Sequence, residues 1–475
     1  MKRRNIIQSA FALTIFSFLF CQCVPKSKST INTTTIYSWT TSADQSQLLA
    51  PSSDLIFGNI DAKDSSITID STIIYQTIDG FGYTLTGGSA MLLSTKLDDN
   101  ERTALLRELF LNDEKGIGVS YLRVSIGASD LDESVFSYDD LPTEKTDSLL
   151  TKFNLSYDTL YLIPILKEII SINPDIKILG SPWSPPTWMK TNHHVKGGSL
   201  NLRYYGSYAN YFVKYLNAMA AEGIMIDAIT IQNEPENPNN TPSLVMTAAE
   251  QNEFIKNYLG PAFKRAEFRT KIILFDHNCD HPEYPISILN DPETKQYVDG
   301  SAFHMYLGEI EALSTVHKAH PDKNLYFTEQ WTSGKGEFSG DLRWHVKNLI
   351  VGATRNWSRT VLEWNLAADE NFEPHTHYGG CDLCQGALTL GDSVRRNVSY
   401  YIIAHASKFV PPGSVRIASN HTDNLFNVAF LTPAGKKVLI VVNDNDLPKS
   451  FSIKYKERAG RTSLAAGAVC TYVWQ

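Results

Sequence analysis

Cysteine is scarce in this chain, basic blocks are missing, and no apolar run is long enough to span a membrane comfortably. Of six cysteines in 475 residues, Cys21 and Cys23 lie near the start, leaving Cys279, Cys381, Cys384 and Cys470 for the body of the protein. Four thiols cannot form a disulfide scaffold, so a hydrophobic core must carry stability. Lys plus Arg number 43 against 51 Asp plus Glu, a formal charge of −8, and this balance excludes a surface built for nucleic acid. The longest apolar stretch, Ile6 to Phe20, falls short of the roughly 20 residues a spanning helix needs.

Apolar material is otherwise ample at 43%, which excludes wholesale disorder. Aromatics are plentiful, with 22 Phe, 22 Tyr and 8 Trp. Most belong to a core, but such an excess also suits a cleft that stacks on flat apolar faces such as those of sugar rings. At the N-terminus, Lys2-Arg3-Arg4 precedes the Ile6–Phe20 stretch, which is relieved only by Gln8, Ser9, Thr14 and Ser17. Residues 1–23 read as an export signal. The Cys21-Gln22-Cys23 that ends it follows the bacterial lipoprotein pattern, in which an acylated Cys becomes the new N-terminus. The expected location is the bacterial cell envelope as an outer-membrane lipoprotein, with periplasmic or secreted forms as the alternative, and membrane contact through the lipid anchor alone. Residues 24–50 read as a flexible tether.

From about residue 78 to 408, β-branched runs alternate with stretches of helical period. Strands are expected at 79–86, 121–127, 177–184, 228–235, 271–277, 300–306, 324–331 and 360–367. Residues 203–222 place Tyr208, Tyr211, Phe212, Tyr215 and Met219 on one helical face, and 249–263 and 341–355 read similarly. Eight strand–helix units make the count of an α/β (β/α)₈ TIM barrel. A doubly wound open sheet is the alternative, but the first strand lacks a Gly-x-Gly-x-x-Gly phosphate turn. After Val410-Pro411-Pro412-Gly413 the pattern becomes all-β, with strands expected at 414–419, 424–431, 437–443, 450–456 and 468–474. Residues 409–475, joined by strands from 51–77, are expected to form a β-sandwich built from both chain ends, which closes otherwise open edges.

Reactive groups in such barrels sit at the C-terminal ends of the strands. Those ends carry Arg123, Trp183, Asn233 with Glu234, His304 with Tyr306, Glu329, and Trp364. Glu234 and Glu329 end strands four and seven inside apolar runs, where an unpaired carboxylate costs several kcal/mol unless it is paired, solvated or functional. Capping a helix or pairing with an Arg is the structural alternative for each. Two carboxylates facing across an aromatic cleft suit glycoside cleavage: one protonates the leaving oxygen, and the other attacks or activates water. Arg123 and Tyr306 are candidates for holding one carboxylate anionic, and Asn233 for donating to a sugar 2-hydroxyl. His193-His194 invites a metal reading, but adjacent side chains in a loop diverge and no third ligand is evident, so no metal is expected. Cys381-Asp382-Leu383-Cys384 reads as a loop-pinning disulfide rather than a redox dithiol or half a zinc site.

Several stretches together resemble glycoside hydrolase family 30, the family of lysosomal glucosylceramidase and microbial β-1,6-glucanases. They are Gly80-Phe81-Gly82, Leu122-Arg123-Val124, Ser181-Pro182-Trp183-Ser184-Pro185-Pro186-Thr187-Trp188-Met189-Lys190-Thr191-Asn192, Asn233-Glu234-Pro235, His304-Met305-Tyr306, Thr328-Glu329 and Glu363-Trp364-Asn365-Leu366. The likeness runs from about Asp54 to the C-terminus. It implies a barrel with an attached sandwich, a retaining mechanism with Glu234 as acid/base and Glu329 as nucleophile, and active-site positions for Arg123, Trp183, Asn233, His304, Tyr306 and Trp364. No metal or organic cofactor is implied. By this resemblance, Gly87 falls where glucosylceramidases carry an Asp that grips a terminal glucose. Together with the Pro374–Gly386 stretch, this points to an endo-acting enzyme on β-1,6-glucan, with an exo-acting β-glucosidase or glucosylceramidase-like enzyme as the alternative. A non-catalytic glycan-binding lipoprotein is more remote, since both carboxylates are present.

Three geometric expectations follow from these roles. The two carboxyls should lie about 5–5.5 Å apart, the spacing for direct attack. Arg123 and Tyr306 should contact Glu329, while Glu234 should lack a cationic partner. Cys381 and Cys384 should border the substrate cleft.

Overall fold

The computed structural model describes residues 34–58 and 65–475. The proposed export signal lies outside the described residues. Among those described, no helix is long and apolar enough to cross a membrane.

Eight parallel strands close into a barrel. In chain order they are Gly80–Thr84, Tyr121–Ser125, Lys177–Ser181, Ala228–Thr230, Lys271–Cys279, Val298–Gly308, Asn324–Glu329 and Ser358–Asn365, called here strands one to eight. All eight expected strands form. Strand one approaches strand two so closely that a Cβ at Gly82 would lie 1.9 Å from the Tyr121 carbonyl oxygen, so this position requires glycine.

Side-chain alternation along the strands builds the site in layers. Tyr121, Leu179, Ala228, Ile273, Ala302, Tyr326 and Leu362, one from each of strands two to eight, pack together as an apolar layer inside the barrel. Two residues further along six of these strands lies the next inward layer: Arg123, Ser181, Thr230, His304, Thr328 and Trp364. Strand five departs from this spacing. Phe275 and Asp276 both take left-handed backbone angles, φ 68° and 65°, and the ladder to strand six slips one residue beside them. The bulge turns Asp276, rather than Phe275, toward the polar layer. An apolar plug below and a polar layer above confine the chemistry to the C-terminal rim.

The helices cover the outside. Tyr205–Ala221 buries Tyr208, Tyr211, Phe212, Tyr215 and Met219, the face its periodicity predicts. The stretches expected at 249–263 and 341–355 are helical but pass through π turns at Ile255–Leu259 and Val346–Ala353.

The second module is a ten-stranded sheet system fed by both chain ends. Thr35–Thr41 pairs antiparallel with Val469–Trp474, and Ser66–Thr77 pairs with Val415–Ser419 before running into strand one. Ile36, Phe57, Ile67, Ile417, Leu439, Phe451 and Trp474 are part of its core. The tether expected over 24–50 is therefore corrected from residue 34 onward. Ile36, Ser38 and Thr40 alternate inward, and the stretch read as a tether supplies a strand paired on both sides near one edge of the sheet. One sandwich strand, Arg458–Leu464, is absent from the sequence reading because its polar composition hides the alternation.

Candidate active site

Arg123 anchors the rim from below. Fully buried, it donates to Glu329 Oε2 at 2.5 Å, Asp276 Oδ2 at 2.8 Å and Asn233 Oδ1 at 2.7 Å. Its guanidinium lies 4.7 Å from the ring centre of Trp183 and 5.7 Å from that of Trp364. Asp276, which sequence reasoning missed, is the hub of the layer. Its carboxylate also accepts from Ser181 and Thr230 at 2.6 and 2.8 Å, from Thr328 at 2.7 Å, and meets His304 Nε2 at 3.1 Å. Burial would raise its pKa, but the Arg123 charge and the His304 contact hold it well below the usual carboxylate range.

The other nitrogen of His304 turns upward to the carboxylate pair. Its Nδ1 lies 3.2 Å from Glu234 Oε1 and 3.7 Å from Glu329 Oε1. One carboxylate oxygen of each Glu and one His304 nitrogen all lie within 4.8 Å of one another, so the two acids face each other at close range. Tyr306 donates its hydroxyl to Glu329 Oε1 at 3.0 Å. Asn237 and Asn240 donate to Glu234 Oε2 at 2.7 and 3.0 Å. Glu234 itself has a left-handed backbone, φ 46°, pinned by its N–H donating to the Asp276 carbonyl at 3.0 Å.

The contacts expected of Arg123 and Tyr306 with Glu329 are thus present, but Glu234 does have a cationic partner. Against burial, the Glu329 charge and the bonds to Asp276 and Glu234 raise His304 to about 9. Against burial again, the hydrogen bond and charge of His304, with help from Asn237, hold Glu234 down at about 2. Burial raises Glu329 above the ordinary carboxylate value, with His304 and Arg123 pulling the other way. The reason is geometric: inward alternation on strand six sets His304 between the ends of strands four and seven, where it serves both acids. Glu234, His304 and Glu329 form the one group of three potential metal ligands among the described residues. Arg123 against Glu329 and the use of both His304 nitrogens by carboxylates make it a proton network rather than a cation cage. His193 and His194 are exposed and outside this group.

Above the pair opens a cleft of about 640 Å³, of a size that suits an extended organic ligand. Glu234, Glu329, Tyr306 and Trp364 line it, with Trp331 and the Cys381–Cys384 disulfide. Arg123, Trp183, Asn233 and His304 form the layer beneath. The disulfide packs with Leu131, Trp183, Trp364 and Trp331, bordering the cleft as expected.

Asp130, also missed, lines the cleft from the loop after strand two. It is 6% exposed; the Cys381 backbone N–H donates to its carboxylate, while its Oδ1 has no partner. Burial, followed by the charges of Glu329 and Glu234, raises it to about 8. Gly87, expected to open the cleft for a passing chain, lies elsewhere. A Cβ at Gly87 would lie 1.8 Å from Asp132 Oδ1, beside a separate hollow, so this position does not face the cleft. In this region the carboxylate that lines the cleft is that of Asp130.

Comparison with known proteins agrees with this architecture. Residues 78–410 match the glycosyl hydrolase family 30 TIM-barrel domain, and residues 413–472 match the family 30 β-sandwich domain. The chain is similar to an endo-1,6-β-D-glucanase of Neurospora crassa, 38% identical over 363 residues covering 74% of each chain. It is also similar to a putative glucosylceramidase of Caenorhabditis elegans, 32% identical over 412 residues, 82% of this chain and 78% of the relative. Its fold overlays the solved endo-β1,6-glucanase BT3312 with a TM-score of 0.86 and 35% identity, covering 92% of this chain and 99% of that one. Barrel, sandwich and rim acids together make the chain a member of glycosyl hydrolase family 30.

Proposed function

We propose that the chain is an endo-acting β-1,6-glucanase that works with retention through Glu329 as nucleophile and Glu234 as acid/base. The observation that carries this reading is the close facing of two carboxylates with unequal partners in a cleft-bearing barrel. Inverting enzymes keep their carboxyls about 6.5–9.5 Å apart to admit water. The linkage is supported by the relatives named as 1,6-β-glucanases.

In the first step a Glu329 oxygen bonds to the anomeric carbon as the glycosidic bond breaks, and Glu234 gives the leaving oxygen a proton. Glu234 draws that proton from His304 Nδ1, 3.2 Å away. In the second step Glu234 takes a proton from water, whose oxygen displaces Glu329 from the sugar, and passes that proton back to His304 Nδ1, restoring the starting pair. Arg123 and Tyr306 stabilise Glu329 as the departing carboxylate, and Asp130 accepts a hydrogen bond from a hydroxyl of the bound sugar.

An exo-acting, glucosylceramidase-like reading remains because Asp130 puts an acceptor where a terminal glucose could be gripped. The products released over time from linear β-1,6-glucan separate the two. Mixed oligomers early in the reaction mean endo action, and glucose alone overturns it. Release must also vanish in Glu329→Gln. Residues 1–23 are further proposed to direct export, with Cys21 or Cys23 acylated and the enzyme held at the cell envelope. Palmitate labelling that persists in the Cys21→Ala, Cys23→Ala double variant would refute the anchor.

A further inference from the structure

The wall beside Glu234 holds a second polar cluster that the two-carboxylate chemistry leaves unused. Glu236 follows Glu234 by two residues and lines the same cleft. His281 Nδ1 lies 2.9 Å from Glu236 Oε2. His277, on the strand-five end beyond the bulge, also borders the cleft and is 7% exposed, yet its Nδ1 has no hydrogen-bond partner. Glu236 Oε2 stands 3.8 Å from that nitrogen, too far for a hydrogen bond. A buried, unpaired imidazole nitrogen beside a cleft carboxylate is costly unless something else completes it.

We propose that Glu236, His277 and His281 form the first aglycone subsite, binding hydroxyls of the sugar that departs with the scissile oxygen. The inference rests on the reading of Glu234 as the acid that protonates that oxygen, since the wall next to the acid is then the leaving-group side. The chemistry fits a β-1,6-linked acceptor. Its scissile oxygen is carried on an exocyclic carbon, which moves the ring one C–C bond outward and leaves its 2-, 3- and 4-hydroxyls free. A carboxylate takes two vicinal hydroxyls as donors, and an imidazole can accept from or donate to a third. Burial lowers the pKa of His277, keeping the imidazole neutral and able to do either. Beyond the Glu236–His281 pair the surface continues into a second hollow of about 530 Å³ floored by Met246 and Tyr284, giving the chain a path away from the cut.

The test is the partition of the glycosyl-enzyme between water and an added sugar acceptor. Both routes use Glu234 as base, so their ratio isolates acceptor binding from acid/base strength and from the amount of folded enzyme. With 4-nitrophenyl β-gentiobioside as donor and gentiobiose as acceptor, the transfer-to-hydrolysis ratio should fall at least tenfold in Glu236→Ala, and severalfold in His281→Ala and His277→Ala. A ratio within twofold of wild type in all three variants overturns the subsite, as does a wild type that shows no acceptor dependence at high gentiobiose. Repeating the series with laminaribiosyl and cellobiosyl donors and acceptors separates this proposal from the linkage reading. If the wild type uses only one of those sugars and the variants still lose transfer to it, the subsite stands and the β-1,6 assignment falls.

Discussion

Asp130 and Asp276 are both buried acids at the rim, and their different surroundings give opposite consequences. Asp276 is satisfied on every side and anionic, while Asp130 keeps one oxygen without a partner and holds its proton to about 8. In the unfolded chain Asp130 ionises near the ordinary carboxylate value, so between about pH 4 and pH 8 the unfolded state binds fewer protons and stability falls as pH rises. Asp130→Asn should therefore stabilise the fold at pH 7 by on the order of 1–3 kcal/mol, raising the melting temperature, with a gain that shrinks toward pH 4, while lowering kcat/KM on glucan. Thermal melts at the two pH values, set beside kinetics, check both halves. The carboxylate pair gives a second outcome. Glu329→Gln should reduce glucan turnover at least ~10³-fold. Glu234→Gln should cost ~10²–10⁴-fold on glucan but far less on an aryl glycoside whose leaving group needs no proton. The pH–rate profile should rise as Glu329 ionises through its raised value, and fall again as His304 loses its proton near 9. An alkaline limb that stays at the same pH in His304→Gln would count against His304 as the proton source. In the sequence, Glu234 and Glu329 were legible as carboxylates set in apolar runs. Asp276 carries the same signal after Lys271-Ile272-Ile273-Leu274-Phe275 and could have been found by it. Asp130 could not, because it lies in an irregular loop with no periodic partner.

At the scale of the element, alternation explains why the strands were readable and why one of them misleads. Stepping by two from the apolar layer reaches Arg123, Ser181, Thr230, His304, Thr328 and Trp364 without error. On strand five the same step lands on Phe275, and only the bulge delivers Asp276. Bulges have no marker in composition unless glycine signals them, and here two L-residues adopt the turn. The loop after strand eight is the other informative element. Its disulfide packs on Trp364 and Trp331, and its Cys381 backbone holds Asp130. Cys381→Ser, Cys384→Ser should raise KM for long glucan severalfold with a smaller change in kcat, because loosening this wall disturbs binding before chemistry. Initial-rate kinetics on polymer will show whether kcat instead takes the main loss.

For the whole molecule, the seam between barrel and sandwich contains a sharp pH element. His405, on helix Val398–Ser407, is fully buried between Thr41 and Thr471, with each ring nitrogen 2.9 Å from a threonine hydroxyl. Burial lowers it to about 3. Below about pH 6.5 the unfolded chain takes up a proton there that the folded chain refuses, so stability present at neutral pH is lost progressively from 6.5 down to about 3. His405→Gln should flatten that acid slope in denaturant titrations, even if it lowers stability at pH 7. Thr41 and Thr471 also belong to the strand pair that the sequence reading divided, taking the first as tether and the second as sandwich. The pairing is set by tertiary contacts over 400 residues apart, which local pattern does not encode.

That pairing has a temporal meaning. A ribosome delivers Thr35–Thr41 early and must add almost the entire chain before Val469–Trp474 exists to receive it. Until then Thr35–Thr41 has no neighbour on that edge, and this seam of the sheet stays open. Removing the Val469–Trp474 strand would leave Thr35–Thr41 held only by its short pairings with Ala50–Pro51 and Leu55–Ile56, so the last strand made completes the binding of the first.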